Sequence, residues 1–124
     1  MDISDILSGL IDTNPSPVVI CDLDYRVIYM NKTAVKDYAK YGGADLVGKL
    51  ITPFCGEEAM SKVNMVIEWF KESKDNNRVF GFHNDEKNTD VYLVAIRDKK
   101  GRLAAFTSIH ECRTPETGES YKMD

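Results

Sequence analysis

The stretch of sequence that decides the fold is NPSPVVICDLDYRVIYMN, residues 14–31. Its two prolines end any preceding helix, because proline has no amide donor and biases the residue before it away from the α region. Two runs rich in β-branched residues, 18–21 and 26–30, then flank the turn-forming residues 22–25. Short strand-like runs on either side of such a turn predict a β-hairpin.

The residues before this hairpin form an amphipathic pattern. Asp2 can cap a helix whose apolar residues recur at three- and four-residue spacing along one side, namely Ile3, Ile6, Leu7, Leu10 and Ile11. We expect residues 1–13 to form an N-terminal amphipathic helix. Its apolar stripe needs a cover, supplied either by the rest of this chain or by a second copy in a dimer.

The residues after the hairpin predict several helices. Asn31 can cap a short helix that runs to Tyr38, and the glycines at 42–43 end it. One more helical turn is predicted at residues 45–48. The longest helical pattern, residues 57–73, has acidic residues at its start and a lysine near its end, which suits the helix dipole.

Three further strand-like runs, 78–84, 91–97 and 103–111, are joined by turn-rich segments and predict an antiparallel meander. Both alternating sets of residues in the middle run are apolar, so both faces of that strand are largely apolar. One face is expected to pack on the helices and the other to meet the N-terminal stripe. The residues of this predicted dimer interface are Ile3, Ile6, Leu7, Leu10, Tyr92, Val94 and Ile96.

Length and composition indicate a single globular domain, since the 124 residues are 43% hydrophobic and 29% charged. The net charge of −4 and the scattered basic residues do not favour nucleic-acid binding. No apolar run approaches the roughly 20 residues that span a bilayer. The N-terminus lacks the basic segment of a signal peptide. We therefore expect a cytoplasmic protein that binds neither nucleic acid nor membrane.

The sequence lacks the motifs of common enzymes. It contains no Gly-rich phosphate loop, no His-Glu-x-x-His and no Gly-x-Ser-x-Gly. The two histidines, His83 and His110, lie on predicted strands without a second ligand at i+2 or i+4, so they are interpreted as structural and no metal site is expected. These observations favour a protein that is not an enzyme.

The three cysteines, Cys21, Cys55 and Cys112, are an odd number without Cys-x-x-Cys spacing, which indicates reduced thiols. Cys55 precedes the predicted long helix, whose N-terminal dipole could lower its pKa. A redox sensor at Cys55 or Cys21 is therefore an alternative to buried, inert cysteines.

The order of these motifs resembles the PAS domain, a sensory and interaction fold. The resemblance rests on residues 14–31, where an apolar strand, an Asp-containing turn, a second strand and an asparagine follow one another. Leu-Val-Gly-Lys at 46–49 and the hairpin at 97–102 match two further family motifs. Tyr25 departs from the family pattern, because a left-handed glycine usually stands there, and the neighbouring aspartates could hold the turn instead.

The resemblance covers the chain from about Asn14 to Glu111. It implies an α+β fold with a five-stranded antiparallel sheet, short flanking helices and one longer helix. The domain is then expected at residues 14–112, followed by a polar C-terminal tail at 113–124. Glu-Cys-Arg at 111–113 replaces the family's usual Asp-Ile-Thr, which puts coupling to a C-terminal effector in doubt.

The resemblance also bears on cofactors. Ile51 stands where the light-sensing flavin branch has its reactive cysteine, and residues 57–73 contain no histidine to serve as the haem ligand of the best-known haem branch. Neither cofactor mode is supported, and the cofactor stays unknown.

The family fold implies a pocket between the inner face of the sheet and the helices. Carried over to this sequence, its lining comprises Tyr38, Tyr41, Ile51, Phe54, Val63, Ile67, Val91, Leu93, Thr107 and Ile109. A small, largely apolar organic ligand is expected there, with Thr107, Tyr38 and Tyr41 as candidate polar anchors. The alternative is a core that is packed shut.

We therefore predict a signal-transduction sensor module that binds a small ligand or a signalling partner protein. It would relay the change through its sheet and N-terminal helix. The first alternative is a ligand-free module for homodimerisation or protein interaction, and the second is the cysteine-based redox sensor.

Overall fold

The computed structural model describes residues 2–121. Three α-helices and five strands occur in the order α1 (Ile3–Asp12), β1 (Val19–Asp22), β2 (Val27–Met30), α2 (Lys32–Asp37), α3 (Glu57–Glu72), β3 (Arg78–Asn84), β4 (Thr89–Arg97) and β5 (Leu103–Cys112). Short 3-10 helices at Ala39–Tyr41, Gly43–Leu46 and Thr52–Phe54 connect α2 to α3. The predicted α+β architecture, with its hairpin, long helix and meander, is confirmed.

The five strands form one antiparallel sheet in the order β2-β1-β5-β4-β3. The last strand, β5, therefore pairs with β1 in the middle of the sheet, and the N-terminal hairpin joins the C-terminal meander there. This arrangement leaves β2 and β3 as the two edges.

The strand register assigns each side chain to one of two faces, because directly paired residues share a face. Leu93 pairs with Ser108, and Val91 pairs with His110. We call the face that carries these residues the inner face, since it lies towards α3. The intervening pairs, such as Tyr92 with Ile109, belong to the outer face.

The solid part of the core lies between the inner face and the C-terminal half of α3. Phe70 is 0% exposed and Ile67 is 2% exposed, and both pack in one cluster with Cys21, Val27 and Phe106. Burial of such large apolar side chains is the main driving force of folding.

Arg97 fastens this end of α3 to the sheet. Its guanidinium donates hydrogen bonds to the backbone oxygens of Phe70, Ser73 and Asn76 at 2.7–3.1 Å, just where α3 ends. A cation at this position satisfies helix carbonyls that have no partner in the helix and complements the helix dipole.

Asn31 ties the N-terminal segment to the core and is itself 0% exposed. Its Oδ1 accepts from the amides of Ala34 and Val18, which confirms the predicted helix cap. Its Nδ2 donates to the carbonyl oxygens of Ile11 and Ser16. One side chain therefore joins the end of α1, the proline segment and α2.

The turn between β1 and β2 shows how Tyr25 replaces a glycine. Tyr25 has a φ of 66°, which is the left-handed conformation that the family motif requires. The Asp22 carboxylate holds the turn by accepting from the amides of Asp24 and Arg26, as the sequence predicted. The Tyr25 ring packs edge-on against Phe106, so the residue adds contacts that glycine lacks.

The helix α1 lies at the β2 end of the sheet, where hydrogen bonds from Tyr29 and Asn31 hold it. The Tyr29 hydroxyl donates to the Asp12 carboxylate at 2.9 Å. The predicted stripe residues Ile3, Ile6, Leu7 and Leu10 are all exposed in the isolated chain. The stripe is therefore not covered by this chain's own sheet.

Candidate ligand-binding site

An apolar cavity of about 190 Å³ lies between the inner face of the sheet and the helical connection. We call it the inner cavity. Its lining on the strands comprises Val19, Cys21, Val27, Met30, Leu93, Phe106, Thr107 and Ser108, and on the helical side Tyr38, Leu46, Ile51, Cys55 and Val63.

A larger groove of about 880 Å³ lies between the N-terminal half of α3 and strands β3, β4 and β5. We call it the α3 groove. Its α3 wall includes Ala59, Lys62, Val63 and Met65, and its sheet wall includes Val79, Phe82, Val91 and His110. Tyr38, Val63, Leu93 and Ser108 border both spaces, so the cavity and the groove meet at these four residues.

The rim of the α3 groove exposes large apolar side chains. Phe82 is 56% exposed and Met65 is 71% exposed, although both line the groove. Large apolar groups that face a concave space are typical of binding sites, because a bound molecule removes them from water.

Two polar side chains reach the groove from the same face of β5. His110 and Ser108 are two residues apart, so both point to the inner face. Neither side chain has a hydrogen-bond partner among residues 2–121, so a bound molecule could satisfy them. Burial lowers the pKa of His110, and the nearby Lys87 lowers it further, so its imidazole is neutral at pH 7.

Tyr38 stands where the cavity and the groove meet. Its ring tilts against that of Tyr41, with 6.4 Å between ring centres. Burial raises the pKa of Tyr38, which keeps its hydroxyl protonated and available as a donor.

The structure brings five of the predicted pocket residues to the inner cavity, namely Tyr38, Ile51, Val63, Leu93 and Thr107. Val91 lies on the inner face and lines the α3 groove. Tyr41 is exposed beside Tyr38 and lines neither space, and Ile67 is packed within the solid core. The side chain of Phe54 lies outside the described part of the chain.

The prediction of Ile109 as a pocket residue is wrong, and Thr107 borders the inner cavity, as predicted, but does not point its side chain into it. The register pairs Ile109 with Tyr92 and Thr107 with Val94, so both side chains lie on the outer face. The Thr107 hydroxyl donates to the carbonyl oxygen of Val19 at 2.7 Å and is not available as a ligand anchor. A shift of one residue exchanges the two faces of a strand.

Sequence reasoning missed Ser108 and His110 for this same reason, and it missed Phe82, which an irregularity in β3 between Phe80 and Phe82 places opposite Val91. Val91 and Leu93 were placed correctly on the inner face, but their partners on β5 are His110 and Ser108. The alternation of residues along β5 alone is compatible with either set on the inner face, Thr107 with Ile109 or Ser108 with His110. Only the turn length between β4 and β5 fixes the register.

The two candidate redox cysteines both line the inner cavity. Burial raises the pKa of the Cys21 thiol to about 12, and burial also raises the pKa of Cys55. The expected lowering of the Cys55 pKa is therefore not found, because burial disfavours its thiolate.

The outer face carries a charged cluster at its β3 side. The Arg78 guanidinium lies 4.0 Å from the centre of the Tyr92 ring and pairs with Glu111 at 2.6 Å. Arg113 pairs with Asp90 at 2.6 Å and donates to the Tyr92 hydroxyl. Arg113, predicted as the start of the tail, is thus bound to the sheet. Tyr92, a predicted interface residue, contacts the guanidinium groups of Arg78 and Arg113.

Within residues 2–121, no three His, Cys, Asp or Glu side chains come together in a way that could hold a metal ion. None of the helices in this described part is long and apolar enough to cross a membrane.

Comparison with known proteins identifies the fold through solved structures. No family model matches the chain, and no curated protein matches it. Solved structures do match, and they include several PAS domains and sensory box proteins. The chain has a PAS-like fold, which confirms the resemblance seen in its sequence.

Three of these structures show the extent of the match. The PAS domain of a protein from Colwellia psychrerythraea is 14% identical with a TM-score of 0.64, and the match covers 90% of this chain and 97% of that one. A sensory box sensor histidine kinase from Vibrio cholerae is 14% identical with a TM-score of 0.59, covering 88% and 90%. The PAS domain from Bordetella pertussis BvgS is 18% identical with a TM-score of 0.56, covering 93% and 89%.

Proposed function

We propose that this chain is a signal-transduction sensor module, and not an enzyme, that binds a small, largely apolar ligand in the inner cavity and the α3 groove. The observation that carries the proposal is the junction of these two spaces at Tyr38, Val63, Leu93 and Ser108. The signalling role is supported by similar folds, one of which is a sensory box sensor histidine kinase.

The relay to α1 follows from the position of β2. Val27 and Met30 line the inner cavity, while Tyr29 on the same strand holds α1 through Asp12. Asn31, the next residue after β2, bonds the last turn of α1 at Ile11. A ligand that favours one position of β2 therefore shifts the arrangement of α1.

Native mass spectrometry of the purified protein, compared with the same sample after denaturation, tests this function. We expect the native mass to exceed that of a whole number of chains by the mass of a small molecule, and that molecule to be released on denaturation. A native mass that equals the mass of the polypeptide alone, with no released molecule, contradicts ligand binding and favours the packed-core alternative.

A second candidate function, homodimerisation, is favoured by the exposed stripe on α1. Leu10 is 69% exposed and Leu7 is 51% exposed, and apolar rows of this kind are typical of interfaces. Val94 and Ile96 on the outer face are the other predicted interface residues, and both are only partly buried. We propose that α1 of a second copy packs either on the apolar stripe of α1 or on the outer face of the sheet.

Light scattering after size exclusion tests the dimer. We expect the wild-type chain to be a dimer and Leu7→Glu with Leu10→Glu to be monomeric, because burying carboxylates in an apolar interface is costly. Ile28→Glu, an exposed apolar position on β2, is the matched control and should stay dimeric. A monomeric wild-type chain at high concentration overturns this candidate.

The redox alternative receives less support, because burial disfavours the thiolates of Cys21 and Cys55. We expect both thiols to resist iodoacetamide at pH 7.5 in the native protein and to react on unfolding. Rapid native alkylation at Cys55 would restore the redox function as a candidate.

A further inference from the structure

We propose that the α3 groove and the inner cavity bind an uncharged amphiphile, with an apolar chain along the groove and one neutral head group beside Ser108 and His110. The head group carries both a donor and an acceptor, as a carboxamide does. This inference rests on the ligand-binding function proposed above and adds the chemical class of the ligand.

The shape of the site favours an elongated apolar body. The groove of about 880 Å³ adjoins the cavity of about 190 Å³, so a chain can lie along the first and reach into the second. Phe82 and Met65 stand at the groove rim with most of their surface in water. An alkyl chain along α3 would cover both and exclude water from them.

The two polar groups of β5 define the head group. The Ser108 hydroxyl can donate and accept, and a neutral imidazole at His110 has one donor and one acceptor. Neither side chain is hydrogen-bonded to any residue in the described range 2–121. A head group with matching donors and acceptors satisfies them, whereas a hydrocarbon would leave them buried without partners.

The charges around the groove favour a neutral head group over a carboxylate. Lys62 on the groove wall pairs with Glu58 at 3.7 Å. Lys87, whose charge lowers the pKa of His110, pairs with Asp37 at 3.8 Å. Both lysine side chains are mostly exposed and already have a carboxylate neighbour, so neither supplies a buried counter-charge to an anion beside Ser108 and His110.

Titration with decanamide and with decanoate, two probes of equal chain length, tests the inference. The chain has two histidines, so the imidazole signals in the NMR spectrum report on both positions. We expect decanamide to shift the His110 signals and leave those of His83 on the outer face unchanged. We expect decanoate to bind about tenfold or more weakly, since a carboxylate offers no donor and must be desolvated.

Three variants sharpen this test. His110→Leu should weaken decanamide binding about tenfold and nearly abolish the preference over decanoate, since the head group loses one partner. His83→Leu is the matched control and should change neither affinity. Ser108→Ala, a smaller change on the same face, should weaken decanamide to a lesser degree.

Equal affinities for the two probes, an unchanged affinity in His110→Leu, or no binding of decanamide to the folded wild-type chain would each overturn the inference. None of these outcomes decides the proposed function. That function is tested separately by the molecule that native mass spectrometry does or does not release.

Discussion

The two halves of α3 pack against the sheet in different ways. In the C-terminal half, Phe70 and Ile67 are fully buried against Phe106 and Cys21. In the N-terminal half, a groove of about 880 Å³ separates the helix from Phe82 and Val91. The same helix therefore closes the core at one end and leaves it open at the other.

The difference follows from side chains at the two ends. Arg97 holds the end of α3 by three hydrogen bonds to backbone carbonyls. At the start of α3, Gly56 provides no side-chain cap, and Ala59 is too small to reach the sheet. A helix that is anchored at one end can open and close at the other, which is what a ligand-responsive element needs.

The largest expected effect comes from truncating one ring in the packed core, Phe70, and one at the α3 groove, Phe82. Phe70→Ala should lower the free energy of unfolding by about 3–5 kcal/mol, because it leaves a cavity in a packed core. Phe82→Ala should cost under about 1 kcal/mol, because that ring is already 56% exposed. Urea unfolding measures both values, and equal losses would show that the two halves are equally packed.

The next largest loss of stability is expected from replacing Arg97, which anchors the end of α3. Arg97→Met should lower the free energy of unfolding by about 2–3 kcal/mol, since charge-assisted hydrogen bonds to helix carbonyls are lost. It should also speed amide exchange in the last turn of α3. Arg102→Met, which removes only an exposed pair with Asp98, should cost under about 1 kcal/mol and serves as the control. If both variants lose the same amount, Arg97 is not an anchor.

Enlarging one alanine in the packed core and one beside the α3 groove sharpens the comparison. Ala34→Leu should cost about 1–3 kcal/mol, because Ala34 is completely buried and extra methylenes must displace neighbours. Ala59→Leu should change stability by less than about 0.5 kcal/mol, since it extends into the open groove. Thermal unfolding measures the shifts, and a large loss for Ala59→Leu would mean that the groove is closed in solution.

The smallest expected effect concerns pH. Because the pKa of His110 is lowered in the folded chain, the unfolded chain binds more protons near pH 6, so stability falls as pH drops through the normal histidine range. His110→Gln should remove this part of the decline between pH 7 and pH 5. Chemical unfolding at both pH values checks it, and an identical decline in the variant contradicts it.

Most of the fold could be predicted from local sequence. The proline pair, the cap at Asn31 and the turn chemistry around Asp22 act within a few residues, so their consequences are visible in the sequence. The long helix at 57–73 matched Glu57–Glu72 to within one residue. Asn31 was predicted only as a cap, and its bonds to Ile11 and Ser16 depend on the tertiary fold.

The site was harder to predict, because it depends on registers and on helix placement. Leu93 and Val63 do line the inner cavity, since each lies on the apolar side of a strongly patterned element. Ile109 was wrong by one residue of register, and His110 was missed for the same reason. The groove itself arises from how far α3 stands from β3, which no local pattern encodes.

A crystal structure of the purified chain tests the central claim most directly, because it shows whether the space beside the N-terminal half of α3 exists. We predict an open groove with electron density for a bound molecule that passes Phe82 and ends within hydrogen-bond distance of Ser108 or His110. A structure in which α3 lies flat on the sheet, with Phe82 buried against Ala59 and Val63, would contradict it.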